Sequence, residues 1–309
     1  MIEVKHAIKS FDGNTVLKDV STIFETGKTN LIIGQSGSGK TVLMKSVVGI
    51  HRIDSGEILY DGRNITSMKR KELNTLRREI GMLFQGSALF DSMSVLENVK
   101  FPLDMFTEMT EEEKIERAKF CLARVELSHA LDLSPAEISG GMQKRAAIAR
   151  AIVLNPKYLF CDEPNSGLDP KTSLLIDQLI QDITHEFNIT TIVNTHDMNS
   201  VMEIGENIVF ISKGEKAWQG TKDEIFDTGC EPLEEFIFAS NLYKEIKEAH
   251  NFFRDKKSSE TPRQKERERE KRDMEYARPQ KKVKISDTDY EHIEDKSTED
   301  QKGTQIVPK

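Results

Sequence analysis

Eight consecutive residues near the start of the chain have the composition of a phosphate-binding loop. They are Gly34, Gln35, Ser36, Gly37, Ser38, Gly39, Lys40 and Thr41. A glycine, four further residues and then Gly-Lys-Thr form the pattern typical of such loops. The apolar run 29–33 before the loop predicts a buried strand, and the run 42–48 after it predicts a helix that ends at Gly49.

A strand-to-helix junction is the setting in which this loop can bind an anion. Free backbone N–H groups and the positive end of the helix dipole converge there. We expect Lys40 to contact the β- and γ-phosphates of a nucleotide, and Thr41 to offer its hydroxyl to Mg²⁺. The alternative is a Gly- and Ser-rich turn that happens to contain a lysine.

Two adjacent acids follow a second apolar run, about 120 residues beyond the loop. The run 158–161 predicts a buried strand, and Asp162 and Glu163 come directly after it. We expect Asp162 to hold Mg²⁺ through water and Glu163 to polarise the water that attacks the γ-phosphate. On its own, the pair could equally be a solvated turn.

A second anion site is predicted where Ser139, Gly140 and Gly141 open a helix that runs to Leu154. Ser139 is a natural N-cap, although an ordinary capped helix start would look the same. One nucleotide cannot easily occupy both helix ends within a monomer. A head-to-tail dimer would let the second site of each chain close over the γ-phosphate of its partner.

Four further residues are candidates because of their positions. Gln85 follows the strand-like run 80–84, where it could sense Mg²⁺ and water, and His196 follows the run 190–194, where it could meet the γ-phosphate. Asp169 lies just beyond the acid pair and could cross a dimer interface. Phe11 could stack on adenine. The alternatives are a structural role for His196 and a core position for Phe11.

Composition limits the classes of function. The chain has 309 residues and a formal net charge of −8, which argues against a primary role in binding nucleic acid. Its three cysteines are too few and too scattered for a disulfide frame or a zinc site, so we expect a reducing cytoplasm. No run of 18 apolar residues and no signal peptide is visible, so any membrane association must come through a partner.

Strand-like and helical runs alternate along the first three quarters of the chain. This order predicts an α/β fold in which helices pack on a parallel sheet, with antiparallel strands at 1–24 and a closing hairpin at 207–219. We predict a docking helix within 229–253. Residues 254–309 are more than half charged, which predicts a disordered tail.

With these motifs in sequence, the chain resembles the nucleotide-binding subunit of ATP-binding cassette (ABC) transporters over residues 1–228. The resemblance implies a P-loop NTPase fold with a RecA-like core and an inserted helical subdomain at about 86–154. It also implies that ATP lies between two subunits, with Ser139 and Gly141 facing the nucleotide of the partner. Gln85 and Asp169 then match the Gln loop and the Asp loop of the family.

Finer features resemble the bacterial lipid-transport ATPases of the Mla type. They are the runs 82–90 and 95–103 and the segment 139–151, in which Met142 stands where most ABC proteins have Gln. That resemblance implies phospholipid transport between the membranes of diderm bacteria. Two features depart from the usual pattern: Phe11 replaces the common Tyr, and the charged tail is not part of the family core.

We therefore expect an ATPase subunit that binds ATP and Mg²⁺ and powers a lipid transporter from the cytoplasmic face of the inner membrane. Its expected partners are a second copy and an integral-membrane permease, together with a substrate-binding protein and a small accessory protein.

Two alternatives stay open: an importer ATPase for another small solute, and a soluble ABC ATPase such as one for cluster assembly. A scaffold that binds ATP without turnover fits poorly, because Glu163 and His196 are both present. Nothing in the sequence identifies the cargo or the direction of transport.

Overall fold

The structure, a computed structural model, describes residues 1–226 and 228–238. Within these ranges the chain forms ten strands and eight α-helices. The strands are β1 (Ile2–Phe11), β2 (Asn14–Phe24), β3 (Thr29–Ile33), β4 (Ser55–Tyr60), β5 (Arg63–Asn64), β6 (Ile80–Leu83), β7 (Tyr158–Asp162), β8 (Thr190–Asn194), β9 (Asn207–Ser212) and β10 (Glu215–Gly220). The helices are α1 (Lys40–Val48), α2 (Arg70–Arg78), α3 (Val95–Phe106), α4 (Glu111–Arg124), α5 (Gly140–Ile152), α6 (Pro170–Glu186), α7 (Met198–Ile204) and α8 (Glu231–Ile237).

The strands form two sheets. The larger has six strands in the order β10-β9-β3-β8-β7-β6, and all neighbours in it are parallel except β10 and β9. The smaller sheet, β2-β1-β4-β5, is antiparallel. This arrangement confirms the predicted α/β fold with a parallel core and antiparallel strands near the amino terminus.

Both faces of the larger sheet are buried, which explains why its central strands are continuous apolar runs rather than alternating ones. In β3, Leu31 and Ile33 pack into the cluster that contains the apolar faces of α3 to α8. Ile32 points the other way, into the cluster shared with α1 and the smaller sheet. The same alternation in β8 sends Val193 to one cluster and Ile192 to the other.

Between β6 and β7 the chain forms helices α3, α4 and α5 and no strand. Side-chain caps fix where these helices begin: Ser94 caps α3, Thr110 caps α4 and Ser139 caps α5. The boundaries predicted for the helical subdomain, 86–154, remain a prediction.

The carboxyl ends of the parallel strands determine where a site can form. β3 leads into Gly34, β6 is followed by Gln85, β7 ends at Asp162, and β8 ends at Asn194. Ligands of open parallel sheets bind at this edge.

The carboxyl-terminal part of the described chain contains α8, which lies inside the predicted docking helix 229–253 and is capped at Phe238. The rest of that predicted helix, and the predicted tail 254–309, lie outside the described residues.

Candidate active site

The phosphate loop (residues 34–41) joins β3 to α1 as predicted. Gly34 and Gly39 have φ values of 147° and 108°. A Cβ atom added at Gly34 would lie 2.2 Å from the carbonyl oxygen of Ile211, so only glycine fits there. The glycine therefore lets the loop pass close to β9.

Lys40 is folded back into this loop and is only 6% exposed. Its Nζ donates to the carbonyl oxygens of Gly34 at 2.8 Å and Gln35 at 3.1 Å. Burial lowers the pKa of Lys40, and the nearby carboxylates of Glu163 and Asp162 oppose that shift. An ammonium group that has only carbonyl partners would gain electrostatic stabilisation from a phosphate.

A cavity of about 700 Å³ lies over the loop. Its walls include most of the phosphate loop together with Val16, Glu163, His196 and Phe236. Ser38 is the one residue of the loop that does not line this cavity, and within the described part of the chain its buried Oγ atom has no hydrogen-bond partner.

Glu163 lies at the centre of a group drawn from three strand ends. Gln85 Nε2 lies 3.0 Å from its Oε2 atom, and His196 Nδ1 lies 3.2 Å from its Oε1 atom. Glu163 has a left-handed φ of 46°, and its N–H donates to the carbonyl oxygen of Asn194 at 2.9 Å. The structure thus brings together three residues that are far apart in the sequence, and it aims one carboxylate at the phosphate-loop cavity.

Asn194 is a site residue that sequence reasoning read only as the last residue of a buried strand. Its Nδ2 atom donates to Asp162 Oδ1 at 2.6 Å and to Thr41 Oγ1 at 3.3 Å. It therefore links two of the three side chains expected at Mg²⁺, Asp162 and Thr41. The signal available in the sequence was a polar residue at the end of the apolar run, directly before the Thr-His pair.

The oxygen donors at this edge of the sheet fit a magnesium ion. Among residues 1–226 and 228–238, no group of three or more His, Cys, Asp or Glu side chains could hold a metal. Mg²⁺ is commonly bound by one or two carboxylates, with phosphates and water completing its shell. Thr41, Asp162 and the side chain of Gln85 are available for that role.

Ser139, Gly140, Gly141 and Asp169 line a different cavity of about 610 Å³, which shares no residue with the cavity over the phosphate loop. The Ser139 Oγ atom accepts a hydrogen bond from the N–H of Met142 at 3.3 Å, which makes it the N-cap of α5 as predicted. Within one chain, the structure does not bring this second helix end to the phosphate loop.

Asp169 caps α6. Its carboxylate accepts hydrogen bonds from Thr172 Oγ1 at 2.5 Å and from the N–H groups of Lys171 and Thr172 at 3.1 Å. These bonds, the one from the Thr172 hydroxyl above all, lower the pKa of Asp169. The carboxylate lies at the surface, on the wall of the Ser139 cavity.

Phe11 lies at the end of β1 and is 38% exposed. Its ring packs edge-on against His51, with 5.3 Å between ring centroids, and Lys9 Nζ lies 5.0 Å from its centroid. It is not among the residues that line the phosphate-loop cavity, where Val16 is the neighbour from β2. The structure therefore does not bring Phe11 into that cavity.

Two basic residues of α5 hold the segment that follows Gln85, and sequence reasoning missed both. Lys144 Nζ donates to the carbonyl oxygen of Gln85. Arg150 donates to the carbonyl oxygens of Ser87 at 2.7 Å and Ala88 at 2.8 Å. The helix that begins in the Ser139 cavity thus also positions the Gln85 loop.

None of the helices that the structure describes is long and apolar enough to cross a membrane.

Comparisons with known proteins agree with this geometry. Residues 17–166 match the ABC transporter family. The chain is 38% identical over 232 residues to the probable ribonucleotide transport ATP-binding protein mkl of Mycobacterium leprae (strain TN). The matched region covers 75% of this chain and 67% of that protein. The chain is 35% identical over 241 residues to the methionine import ATP-binding protein MetN of Clostridium acetobutylicum, covering 78% and 75%. Neither name refers to lipid.

Two solved structures are similar in both fold and sequence. One is the dimeric post-hydrolysis state of the ATP-binding cassette MJ0796 bound to ADP and Pi, with a TM-score of 0.66 and 33% identity over 72% of this chain and 99% of that one. The other is cbiO1 of Clostridium perfringens, part of the ABC transporter complex cbiONQ, with a TM-score of 0.70 and 31% identity over 81% and 98%. With a phosphate loop, an acid pair and a separate capped helix end in this fold, the chain belongs to the ABC transporter ATPases.

Proposed function

We propose that this chain is the ATP-hydrolysing subunit of a membrane importer, and that it works as a head-to-tail pair of identical copies. The observation that carries the proposal is the separation of the two cavities. Lys40 and Glu163 lie at one cavity, whereas Ser139 and Asp169 lie at the other. A second copy placed head to tail would supply Ser139, Gly140 and Gly141 to the open side of the phosphate-loop cavity. The dimeric state of the cassette MJ0796 supports this arrangement.

In the proposed site, Lys40 and the loop N–H groups hold the β- and γ-phosphates of ATP. Thr41, Asp162 and Gln85 would hold Mg²⁺, which neutralises phosphate charge when it is bound. Glu163 accepts a proton from the attacking water. His196 and Gln85 contact opposite oxygens of the Glu163 carboxylate, so they fix the direction in which it accepts that proton.

Association with the cytoplasmic face of the inner membrane is part of the proposal, through an integral-membrane permease. The exposed segment around Gln85 is the contact that we propose for the permease. Lys144 and Arg150 connect that segment to α5. A movement of the permease against this segment would reach both the Glu163 carboxylate and the Ser139 end of α5.

The cargo we propose is a small polar solute, because the relatives are named for ribonucleotide transport and methionine import. Phospholipid is the second candidate. It is supported by the runs 82–90 and 95–103 and by the segment 139–151, which resemble the Mla-type lipid ATPases.

The test is to isolate the chain from native membranes with its permease and to reconstitute the complex in phospholipid vesicles. We expect ATP hydrolysis to be stimulated severalfold by a small solute presented with its binding protein. If hydrolysis responds instead to vesicle lipid composition, and the deletion strain mislocates outer-leaflet phospholipid while importing solutes normally, the importer proposal is wrong. Isolation of the protein without any membrane subunit would favour a soluble ABC ATPase.

A further inference from the structure

Asn194 differs from the other buried side chains of the larger sheet because, among the described residues, one of its polar atoms has no hydrogen-bond partner. It is fully buried at the carboxyl end of β8, with Asp162 of β7 opposite it on one side and Ile32 of β3 on the other. Its Nδ2 atom has two partners, but its Oδ1 atom is buried and, within the described part of the chain, has none. A buried acceptor without a partner has lost the hydrogen bonds that it would make with water, so its presence needs an explanation.

Asn30, near the amino end of β3 in the same sheet, is a buried asparagine for comparison. It is also fully buried, and its Nδ2 atom donates to the carbonyl oxygens of Glu25, Lys28 and Thr191. Its Oδ1 atom accepts from the N–H of Glu25 at 2.7 Å and from Asn207. Every polar atom of that amide is used, whereas Asn194 keeps one free acceptor at the edge where ligands bind.

The two partners of Asn194, Asp162 and Thr41, are two of the three side chains that the proposed function assigns to Mg²⁺. A bond of 2.6 Å to Asp162 Oδ1 engages one carboxylate oxygen and leaves the other free to face the ion. The 3.3 Å contact with Thr41 Oγ1 holds the hydroxyl on the same side. The acceptor atom of Asn194 is carried on the same amide group, so a water bound to the ion could donate to it.

We propose that Asn194 is a positioning residue of the magnesium site: its amide orients Asp162 and Thr41, and its Oδ1 atom accepts a hydrogen bond from a water of the Mg²⁺ shell. This inference rests on the proposed function, since it adopts the same cation site. Partners of metal ligands at this distance typically change metal affinity by 10–100-fold when they are removed.

The experiment uses Mn²⁺ as a probe of the site, bound with ATP to the full chain carrying Glu163→Gln so that ATP is not consumed. The Mn²⁺ affinity of the ATP complex is measured by electron paramagnetic resonance. Asn194→Leu keeps the branched shape of the side chain and removes both amide atoms, and Asn194→Val is a second apolar variant suited to a strand. Thr191→Val is the matched control, a buried residue of β8 near its amino end, and Asp162→Asn tests the cation site itself.

We expect either Asn194 variant to bind Mn²⁺ about tenfold more weakly or worse, and Thr191→Val to stay within about twofold of the parent. Without the Glu163 change, Asn194→Leu should need a correspondingly higher Mg²⁺ concentration for half-maximal hydrolysis. If Asp162→Asn weakens Mn²⁺ binding but both Asn194 variants do not, the role of Asn194 is refuted while the cation site stands. If Asp162→Asn also has no effect, the proposed cation site is wrong and this inference fails with it.

Discussion

At the scale of single residues, the account depends on the carboxylate of Glu163. It has one partner on each oxygen, Gln85 and His196, and it faces the phosphate-loop cavity. A side chain that accepts a proton from water needs this kind of fixed orientation.

The first prediction tests that carboxylate. Glu163→Gln keeps the shape and can still contact Gln85 and His196, but it cannot take a proton. We expect ATP binding to be retained and turnover to fall by about 10²-fold or more, measured as single-turnover hydrolysis in the assembled transporter. Glu57→Gln, the same chemical change in the smaller sheet, is the control. Parental turnover in Glu163→Gln would show that another group is the base.

The second prediction concerns Asp177, a carboxylate of α6 that is 2% exposed. Asn165, two residues after Glu163, donates to it at 2.8 Å. Burial raises the pKa of Asp177 to about 6, partly offset by hydrogen bonds from Ser200 and Asn165. A carboxyl group whose pKa is higher in the folded than in the unfolded state contributes stability when the pH lies below its unfolded pKa. That contribution is lost as the pH rises through its folded pKa.

Relative to Asp177→Asn, the parent should therefore lose about 2 kcal/mol of unfolding free energy between about pH 4.5 and 7. Urea unfolding of both proteins across this range measures the difference. Asp182→Asn, an exposed position on the same helix, should run parallel to the parent. A constant gap between parent and Asp177→Asn would mean that the pKa of Asp177 is not raised.

At the scale of elements, α5 connects the two cavities. Its amino terminus carries Ser139 as a cap, and Lys144, little more than one turn along, donates to the carbonyl oxygen of Gln85. Residues Ser87 and Ala88, whose φ values of 60° and 50° are left-handed, are held by Arg150 from the same helix. A non-glycine segment in this conformation needs such support, because the conformation is sparsely populated.

The third prediction follows from that support. Lys144→Met should leave ATP affinity within about twofold and lower turnover tenfold or more, because Gln85 is no longer held against Glu163. Arg145→Met is the matched control, since Arg145 donates to the carbonyl oxygens of Val125 and Glu126 instead. Lys144→Arg keeps a charged donor and should restore part of the activity. Equal losses in the Lys144→Met and Arg145→Met variants would contradict a specific role of the Gln85 contact, because Arg145 lines the Ser139 cavity and takes no part in that contact.

Strands and helices could be predicted from the sequence where residue type and spacing alone determine them. The apolar runs that became β3, β7 and β8, and the Ser139 cap of α5, follow from residue type and spacing. The roles of Asn194 and Lys144 depend on strand order and on which helix packs beside which loop, and those are long-range properties. Stacking of Phe11 on adenine stays a prediction, because the contacts of its exposed ring with His51 and Lys9 do not test it.

At the scale of the whole molecule, every predicted site residue lies upstream of residue 197. The fourth prediction is that truncation after Phe253 leaves folding and ATP binding intact, because the removed residues are mostly charged and have little apolar surface to bury. Thermal melting of the full and truncated chains should agree within a few degrees. A large loss of stability or of nucleotide binding would show that the tail forms part of the fold.

The central claim is that two copies share each ATP. The most direct test is the molar mass of Glu163→Gln in solution, by light scattering, with ATP or ADP, alone and combined with Ser139→Arg. We predict a dimer with ATP and a monomer with ADP for Glu163→Gln. The double variant should stay monomeric although each chain still binds ATP with parental affinity, because in the proposed dimer Ser139 contacts only the partner's nucleotide. A double variant that still dimerises with ATP, or that loses ATP affinity as a monomer, would contradict the shared site.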